Sequence, residues 1–379
     1  MREIKMVDLK GQYDKIKPEV DQAIGEVIDS TAFINGPAVK RFAANLEEYM
    51  NVKHVIPCGN GTDALQVALM ALDLEPGDEV ITSTFTFIAT AEVIALLKLK
   101  PVLVDVDPDT FNIDPEKVKK AVTERTRVII PVHLFGQASD MDRIMHIAGQ
   151  YDLNVIEDTC QAIGADFSSG TGTGEVTKVG TIGDMGCMSF FPSKNLGAFG
   201  DAGAVFTNKD DLAEKLRAIV NHGSFKKYYH DYVGVNSRLD SLQAAILDVK
   251  LKYLDDYISA RQTAAEYYDK HLGDHPKMKI PARTAYSTHV FHQYTVTLDE
   301  SVDRNSLQAF LKKQGIPAMV YYPVPLHLQK AYRNNGKAEG SMPVAENLSG
   351  QVLSLPMHTE LDEEQLHHIC SKVLEFLDK

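Results

Sequence analysis

The chain has 379 residues, 44% hydrophobic and 24% charged, a globular balance that excludes a disordered, collagenous or low-complexity protein. At about 150 residues per domain it has room for two or three domains and a core that needs no staples. Its 39 Lys+Arg against 52 Asp+Glu leave a formal charge of -13, which argues against general nucleic-acid or anionic-membrane binding. Screening over ~8 Å still lets a local basic pocket take a phosphorylated substrate.

Cys58, Cys160, Cys187 and Cys370 stand far apart and form no C-x-x-C, so their spacing signals neither a zinc site nor a redox pair. The pattern predicts reduced, buried thiols in a cytoplasmic protein. The start, M-R-E-I-K-M-V-D-L-K, lacks the apolar stretch of a signal peptide. No run approaches the ~18 apolar residues of a membrane span.

From Lys53 to Asn208, β-branched runs alternate with helical stretches. Strands are predicted at His54–Pro57, Glu79–Ser83, Val102–Asp105, Val128–Val132, Asn154–Glu157, Cys187–Phe191 and Ala204–Thr207. Helices are predicted at Thr62–Leu72, Ala89–Leu97, Pro115–Val122 and Met141–Tyr151, with Asp114 capping before Pro115. Such alternation predicts an α/β domain: a mainly parallel central sheet flanked by helices, with ligands beyond the carboxyl ends of the strands. The glycine-rich stretch Ser168–Gly186 reads as a loop or hairpin insertion. Helices follow at Leu212–Val220 and Ser241–Leu272, then a linker at His275–Ser287. A strand at Val290–Leu298 and helices at Asn305–Gln314 and Leu361–Leu377 predict a small α+β domain. The expected division is residues 1–255, with an N-terminal helix, and residues 256–379.

Strand ends carry the chemistry. C-G-N-G-T-D-A-L, Cys58 to Leu65, joins a strand to a helix, where glycines let backbone N–H groups approach an anion. It also fits a degenerate dinucleotide fingerprint at Gly59, Gly61 and Ala64, but the next strand ends without the acid a ribose would need. A phosphate cradle fits better, with a plain tight turn as the alternative. N-V-I-E-D-T-C-Q-A, Asn154 to Ala162, ends an apolar strand on Glu157 and Asp158, suited to a metal, a ribose, a ring nitrogen or simply a cap. No histidine stands close enough for a local metal pair. M-S-F-F-P-S-K-N-L-G-A-F-G-D-A-G-A, Met188 to Ala204, ends a strand in Lys194, either a desolvated nucleophile or an ordinary solvated lysine. Cradle, acid and lysine at one sheet edge are the set that pyridoxal phosphate requires.

The sequence resembles the fold-type-I pyridoxal-phosphate aminotransferases that act on nucleotide-linked keto sugars, the DegT/DnrJ/EryC/StrS type. The likeness runs from D-L-K-G-Q-Y at Asp8 to S-L-P-M-H at Ser354, and is most specific in S-F-F-P-S-K-N-L-G and in Val233 to Leu247. The nearest subgroup aminates UDP-3-keto-N-acetylglucosaminuronic acid in surface-polysaccharide sugar synthesis. The resemblance implies Lys194 as the Schiff-base lysine, Asp158 at the pyridine nitrogen and Gln161 on the ring hydroxyl. It implies Phe87 stacked on the ring, a position whose default reading is apolar core. Gly61, Thr62 and Ser189 would hold the phosphate, with Asn236 reaching it from the second subunit of an obligate homodimer. Arg238, Tyr321 and Tyr322 are implied substrate contacts; from residue type alone Arg238 reads equally as a surface ion pair. His327, in the same loop as the tyrosines, reads as a bystander. Relatives that dehydrate carry histidine in place of the lysine, so Lys194 points to transamination, with L-glutamate as the expected donor.

Two rival readings remain at this level. A nicotinamide-dependent oxidoreductase would use the glycine turn and a Y-x-x-x-K pair, Tyr49 and Lys53, although that pair precedes the turn. A non-catalytic sugar-nucleotide sensor on the same fold is disfavoured by the complete set of Lys194, Asp158 and Gln161.

Overall fold

The structure is a computed structural model, and it describes residues 2–170, 176–332 and 338–379. Two helices open the chain, α1 (Leu9–Ser30) and α2 (Pro37–Met50). Strands and helices then alternate: β1 (His54–Cys58), α3 (Gly61–Met70), β2 (Glu79–Ser83), α4 (Ala89–Leu96), β3 (Lys100–Val104), α5 (Pro115–Ala121), β4 (Thr126–Ile130), α6 (Met141–Tyr151) and β5 (Asn154–Asp158). A small hairpin, β6 (Asp166–Ser168) and β7 (Val176–Lys178), precedes β8 (Met185–Ser189), β9 (Gly203–Thr207) and α7 (Asp210–Ile219). Then come α8 (Ser241–Leu251), α9 (Leu254–Leu272), β10 (Met278–Lys279), β11 (Tyr294–Leu298), α10 (Arg304–Lys313), α11 (Pro343–Gln351), β12 (Val352–Leu355) and α12 (Glu363–Leu377).

The large sheet has seven strands in the order β1-β9-β8-β5-β4-β2-β3. Only β9 runs antiparallel to its neighbours, so β1, β2, β4, β5 and β8 all present their carboxyl ends at one edge. Alternating strand side chains feed two cores. Ile81, Ile129 and Val155 pack with Phe42, Leu46 and Met141 on one face. Val80, Val128, Ile130 and Ile156 pack with Ala64, Val93 and Leu216 on the other. Burial on both faces is why these strands read as continuous apolar runs.

A separate antiparallel sheet, β10-β11-β12, packs with α10 and α12 around Tyr294, Leu311 and Ile369. The expected single helix Ser241–Leu272 is two helices, α8 and α9. No glycine or proline marks the break; a turn bond from Tyr253 N–H to Lys250 O at 3.0 Å closes it. Along α9, Leu254 and Ile258 belong to the large core, whereas Ala264, Tyr268 and Leu272 belong to the small one. The predicted insertion Ser168–Gly186 starts at the last residue of β6, takes in β7 and the first two residues of β8, and its residues 171–175 lie outside the described residues. Among the described residues no helix is long and apolar enough to cross a membrane.

Candidate active site

The turn from β1 into α3 is a built anion cradle. The Asn60 side chain accepts from Asp63 N–H at 2.8 Å and caps the helix. Gly61 and Thr62, in the first turn, have N–H groups that no acceptor within the helix can reach, at its positive end. A Cβ on Gly61 would stand 2.5 Å from Ser189 Cβ and 3.0 Å from Cys160 Sγ. This contact sets Gly61, at the start of α3, against Ser189 at the end of β8. Ser237 secures the turn from outside: its hydroxyl accepts from Gly59 N–H at 2.9 Å and donates to Asp63 at 2.6 Å.

The two acids ending β5 face opposite ways. Glu157 is fully buried; Oε1 accepts from Ile182 and Gly183 N–H, both at 2.7 Å, and Oε2 from Gly180 N–H at 2.9 Å. His133 Nε2 lies 2.9 Å from the same Oε2. Because Ser139 N–H donates to His133 Nδ1 at 3.0 Å, the ring proton sits on Nε2 and points at Glu157. Glu157 is therefore an internal clamp on the insertion. Asp158 turns into the site instead, where Oδ2 accepts from the buried Thr90 hydroxyl at 2.8 Å and Oδ1 from Cys160 N–H at 3.3 Å.

Lys194 follows β8 in a turn closed by its own N–H to Phe191 O at 2.8 Å. It is half-buried, and among the described residues no hydrogen bond reaches its Nζ. Burial lowers its pKa, opposed by the nearby Cys160 thiol and the Asp158 carboxylate. An amine in that setting gives up its proton more readily than a solvated lysine. Two cysteines distant in sequence meet here: Cys160 is half-buried rather than buried, its thiol donates to Cys187 O at 3.6 Å, and desolvation pushes both thiols up.

Gln161 is buried between two partners. Its Oε1 accepts from Phe135 N–H at 2.8 Å, and its Nε2 donates to the Tyr322 hydroxyl at 3.2 Å. Phe87, after β2, is 54% exposed, which overturns its core reading; its ring lies 6.4 Å from that of Tyr322. Asn236 is exposed beside a backbone bridge to Asn221. Arg238 is half-buried, and among the described residues it has no carboxylate partner. His327 is buried, with Nδ1 2.8 Å from the Thr84 hydroxyl and Nε2 3.0 Å from Glu346, so it ties the loop down. Sequence reasoning missed Thr90 and Cys160 as neighbours of Asp158. Thr90 lies three residues past Phe87, in the first turn of α4, and Cys160 lies within the acid motif itself.

The oxidoreductase pair is engaged elsewhere. Tyr49 donates to Asp255 at 2.7 Å, and Lys53 pairs with Asp210 at 2.8 Å. The residues present fit pyridoxal phosphate instead: a helix-end cradle too tight for any Cβ, an acid with its own donor, and a desolvated, unpaired amine.

Residues 14–374 match the DegT/DnrJ/EryC1/StrS aminotransferase family. A Geobacillus stearothermophilus protein called a pleiotropic regulatory protein is 49% identical, over 98% of this chain and 98% of its own length. The UDP-2-acetamido-2-deoxy-3-oxo-D-glucuronate aminotransferase of Pseudomonas aeruginosa is 44% identical, over 97% of this chain and 99% of its own. The crystal structure of S. venezuelae DesV, in complex with a ketimine intermediate, superposes with a TM-score of 0.95 at 37% identity and covers 100% of both chains. This chain is a member of the DegT/DnrJ/EryC1/StrS aminotransferase family.

Proposed function

We propose that this aminotransferase moves the amino group of L-glutamate to the keto carbon of UDP-3-keto-N-acetylglucosaminuronic acid, for surface-polysaccharide sugar synthesis in the cytoplasm. Its cofactor is pyridoxal phosphate, whose ring, when bound, takes up the electrons released as the donor loses its α-proton. The observation that carries the reading is Lys194: desolvated, free of any hydrogen bond at Nζ among the described residues, and beside Asp158. A neutral Lys194 amine takes the proton from the donor α-carbon and later returns one to the acceptor carbon. Asp158, steadied by Thr90, holds the ring nitrogen protonated. Gly61, Thr62 and Ser189 bind the phosphate, Gln161 the ring hydroxyl and Phe87 the ring face.

The choice of acceptor is supported by the Pseudomonas relative, which carries that activity in its name. Arg238, without an ion-pair partner among the described residues, and Tyr321 suit a carboxylate or diphosphate and a sugar; Tyr322 is the other tyrosine of that loop. Exposed Phe225, Tyr228, Tyr229, Tyr232 and Val233, interleaved with Lys226, Lys227, His230 and Asp231, form an aromatic-rich run leading to Asn236. That run supports a homodimer in which Asn236 reaches the phosphate of the second site. The change of core partners along α9, between Ile258 and Ala264, supports two units that meet within that helix, close to the proposed division into residues 1–255 and 256–379.

The test is the visible spectrum of purified protein before and after L-glutamate, with Lys194→Ala beside it. A yellow wild type that bleaches with glutamate, and regains colour with the keto sugar nucleotide, supports the proposal. A protein left colourless after incubation with pyridoxal phosphate refutes it. The name of the Geobacillus relative favours a sensor as the second reading. Sugar-nucleotide binding without amine transfer would establish that reading.

A further inference from the structure

We propose that Tyr322 is a positioning residue for the cofactor, acting through Gln161, and that the sugar contact in this loop falls to Tyr321. The proposal rests on the pyridoxal-phosphate reading. The Phe135 N–H can donate only to an oxygen, so its 2.8 Å bond to Gln161 Oε1 fixes which way the amide is turned. The NH2 end must then face Tyr322, where it donates at 3.2 Å. An amide nitrogen carries two hydrogens, so a second one remains for a ring hydroxyl. Without Tyr322 the Phe135 bond still fixes which end is the oxygen, but the amide nitrogen loses the acceptor that holds its plane and so aims its second hydrogen.

The rest of the tyrosine is seated on the cofactor side as well. Its ring packs edge-on to Phe85 at 6.1 Å and tilted to Phe87 at 6.4 Å, the aromatic expected on the ring face. The loop behind it is locked: Leu326 N–H donates to Thr84 O at 2.8 Å, and His327 bridges Thr84 to Glu346. Glu346 in turn accepts from Met342 N–H at 3.1 Å. Thr84 lies on the segment that carries Phe85 and Phe87, so one lock fixes both sides of the contact. Burial raises the Tyr322 phenol pKa, so it stays protonated while it accepts from Gln161. Tyr321 differs: its half-buried hydroxyl has no hydrogen-bond partner among the described residues.

The test compares Tyr322→Phe, Gln161→Ala, the double variant and Tyr321→Phe in the full chain. Readouts are the equilibrium affinity of apoprotein for pyridoxal phosphate, the pH midpoint of the bound visible band, and KM for the keto sugar nucleotide. Loss of one hydrogen bond predicts that Tyr322→Phe weakens cofactor binding about two- to tenfold. The band midpoint should move, KM for the sugar should stay within about twofold, and the double variant should bind no worse than Gln161→Ala alone. Tyr321→Phe should do the reverse and raise KM only. A Tyr322→Phe protein with unchanged cofactor affinity and band, but a raised KM, overturns the proposal. Multiplicative losses in the double variant overturn it too. Wild-type apoprotein is titrated first: if it takes up no pyridoxal phosphate, the reading beneath the proposal fails, a result distinct from failure of Tyr322→Phe alone.

Discussion

Replacing Gly61 with alanine tests the cradle directly. The added Cβ would stand 2.5 Å from Ser189 Cβ, 3.1 Å from Ser189 Cα and 3.0 Å from Cys160 Sγ. Carbon atoms rest at about 3.5–4.0 Å, so a gap of about 1 Å must open. Ser189 cannot rotate out of the way, because its Cα and Cβ are fixed at the end of a strand paired through Gly203. The amino terminus of α3 must withdraw instead. Overpacking of this kind costs about 1–3 kcal/mol of stability. A 1 Å displacement of a binding group can cost up to about 100-fold in function. The expected outcome for Gly61→Ala is at least a tenfold loss of pyridoxal-phosphate affinity and a lower urea midpoint, read by titrating apoprotein and by chemical unfolding. Gly149→Ala is the control: it lies in α6 with nothing within 4 Å, and helix propensity predicts a gain of up to about 1 kcal/mol. A Gly61→Ala protein that binds cofactor within twofold of wild type at an unchanged midpoint would falsify the cradle.

Other residues give independent checks. Asp158→Asn keeps the shape but weakens the hold on the ring nitrogen, so turnover should fall sharply; a rate within about twofold of wild type, ~0.4 kcal/mol of barrier, would remove the assigned role. Glu157→Gln should destabilise by about 3 kcal/mol. Each oxygen of Glu157 meets two donors, so the new NH2 faces donors whichever way the amide turns; an unfolding free energy unchanged within 1 kcal/mol would contradict the clamp. Lys250 is buried with Gly197 O, at 2.5 Å, as its one acceptor among the described residues, and burial beside Arg261 lowers its pKa to about 7 from 10.5. The unfolded chain then binds more protons between those values, so Lys250 makes stability rise with pH from about 7 toward 10.5, by at most about 1.4 kcal/mol per pH unit. Lys250→Met should flatten that slope, and parallel curves for the two proteins would refute the assignment.

The sequence legibly specified the alternation of strands and helices, because strands buried on both faces are short apolar runs and three of the four helices between β1 and β5, α3, α5 and α6, carry side-chain caps. β2 and α6 fall at the predicted residues, and most other ends differ by one to three residues. The motifs at Gly61, Asp158 and Lys194 were legible for a related reason: a parallel sheet puts the residues after its strands at one edge, whatever the strand order. The break at Lys252–Tyr253 was not legible, since helix propensity continues across it and only packing against two cores divides the helix.

Tertiary structure decided what each side chain does at that edge. Glu157 and Asp158 are neighbours in sequence, yet the pleat sends one to the insertion and the other to the site. His327 and Tyr322 share a loop, but one is spent on Thr84 and Glu346 while the other reaches Gln161. Thr90 gains its importance from an acid 68 positions away. Periodicity and turn chemistry are local and can be read from the order of residues. Which donor meets which acceptor depends on strand order and on how the small unit's loop lies over the large sheet, and those were settled only when the two cores closed.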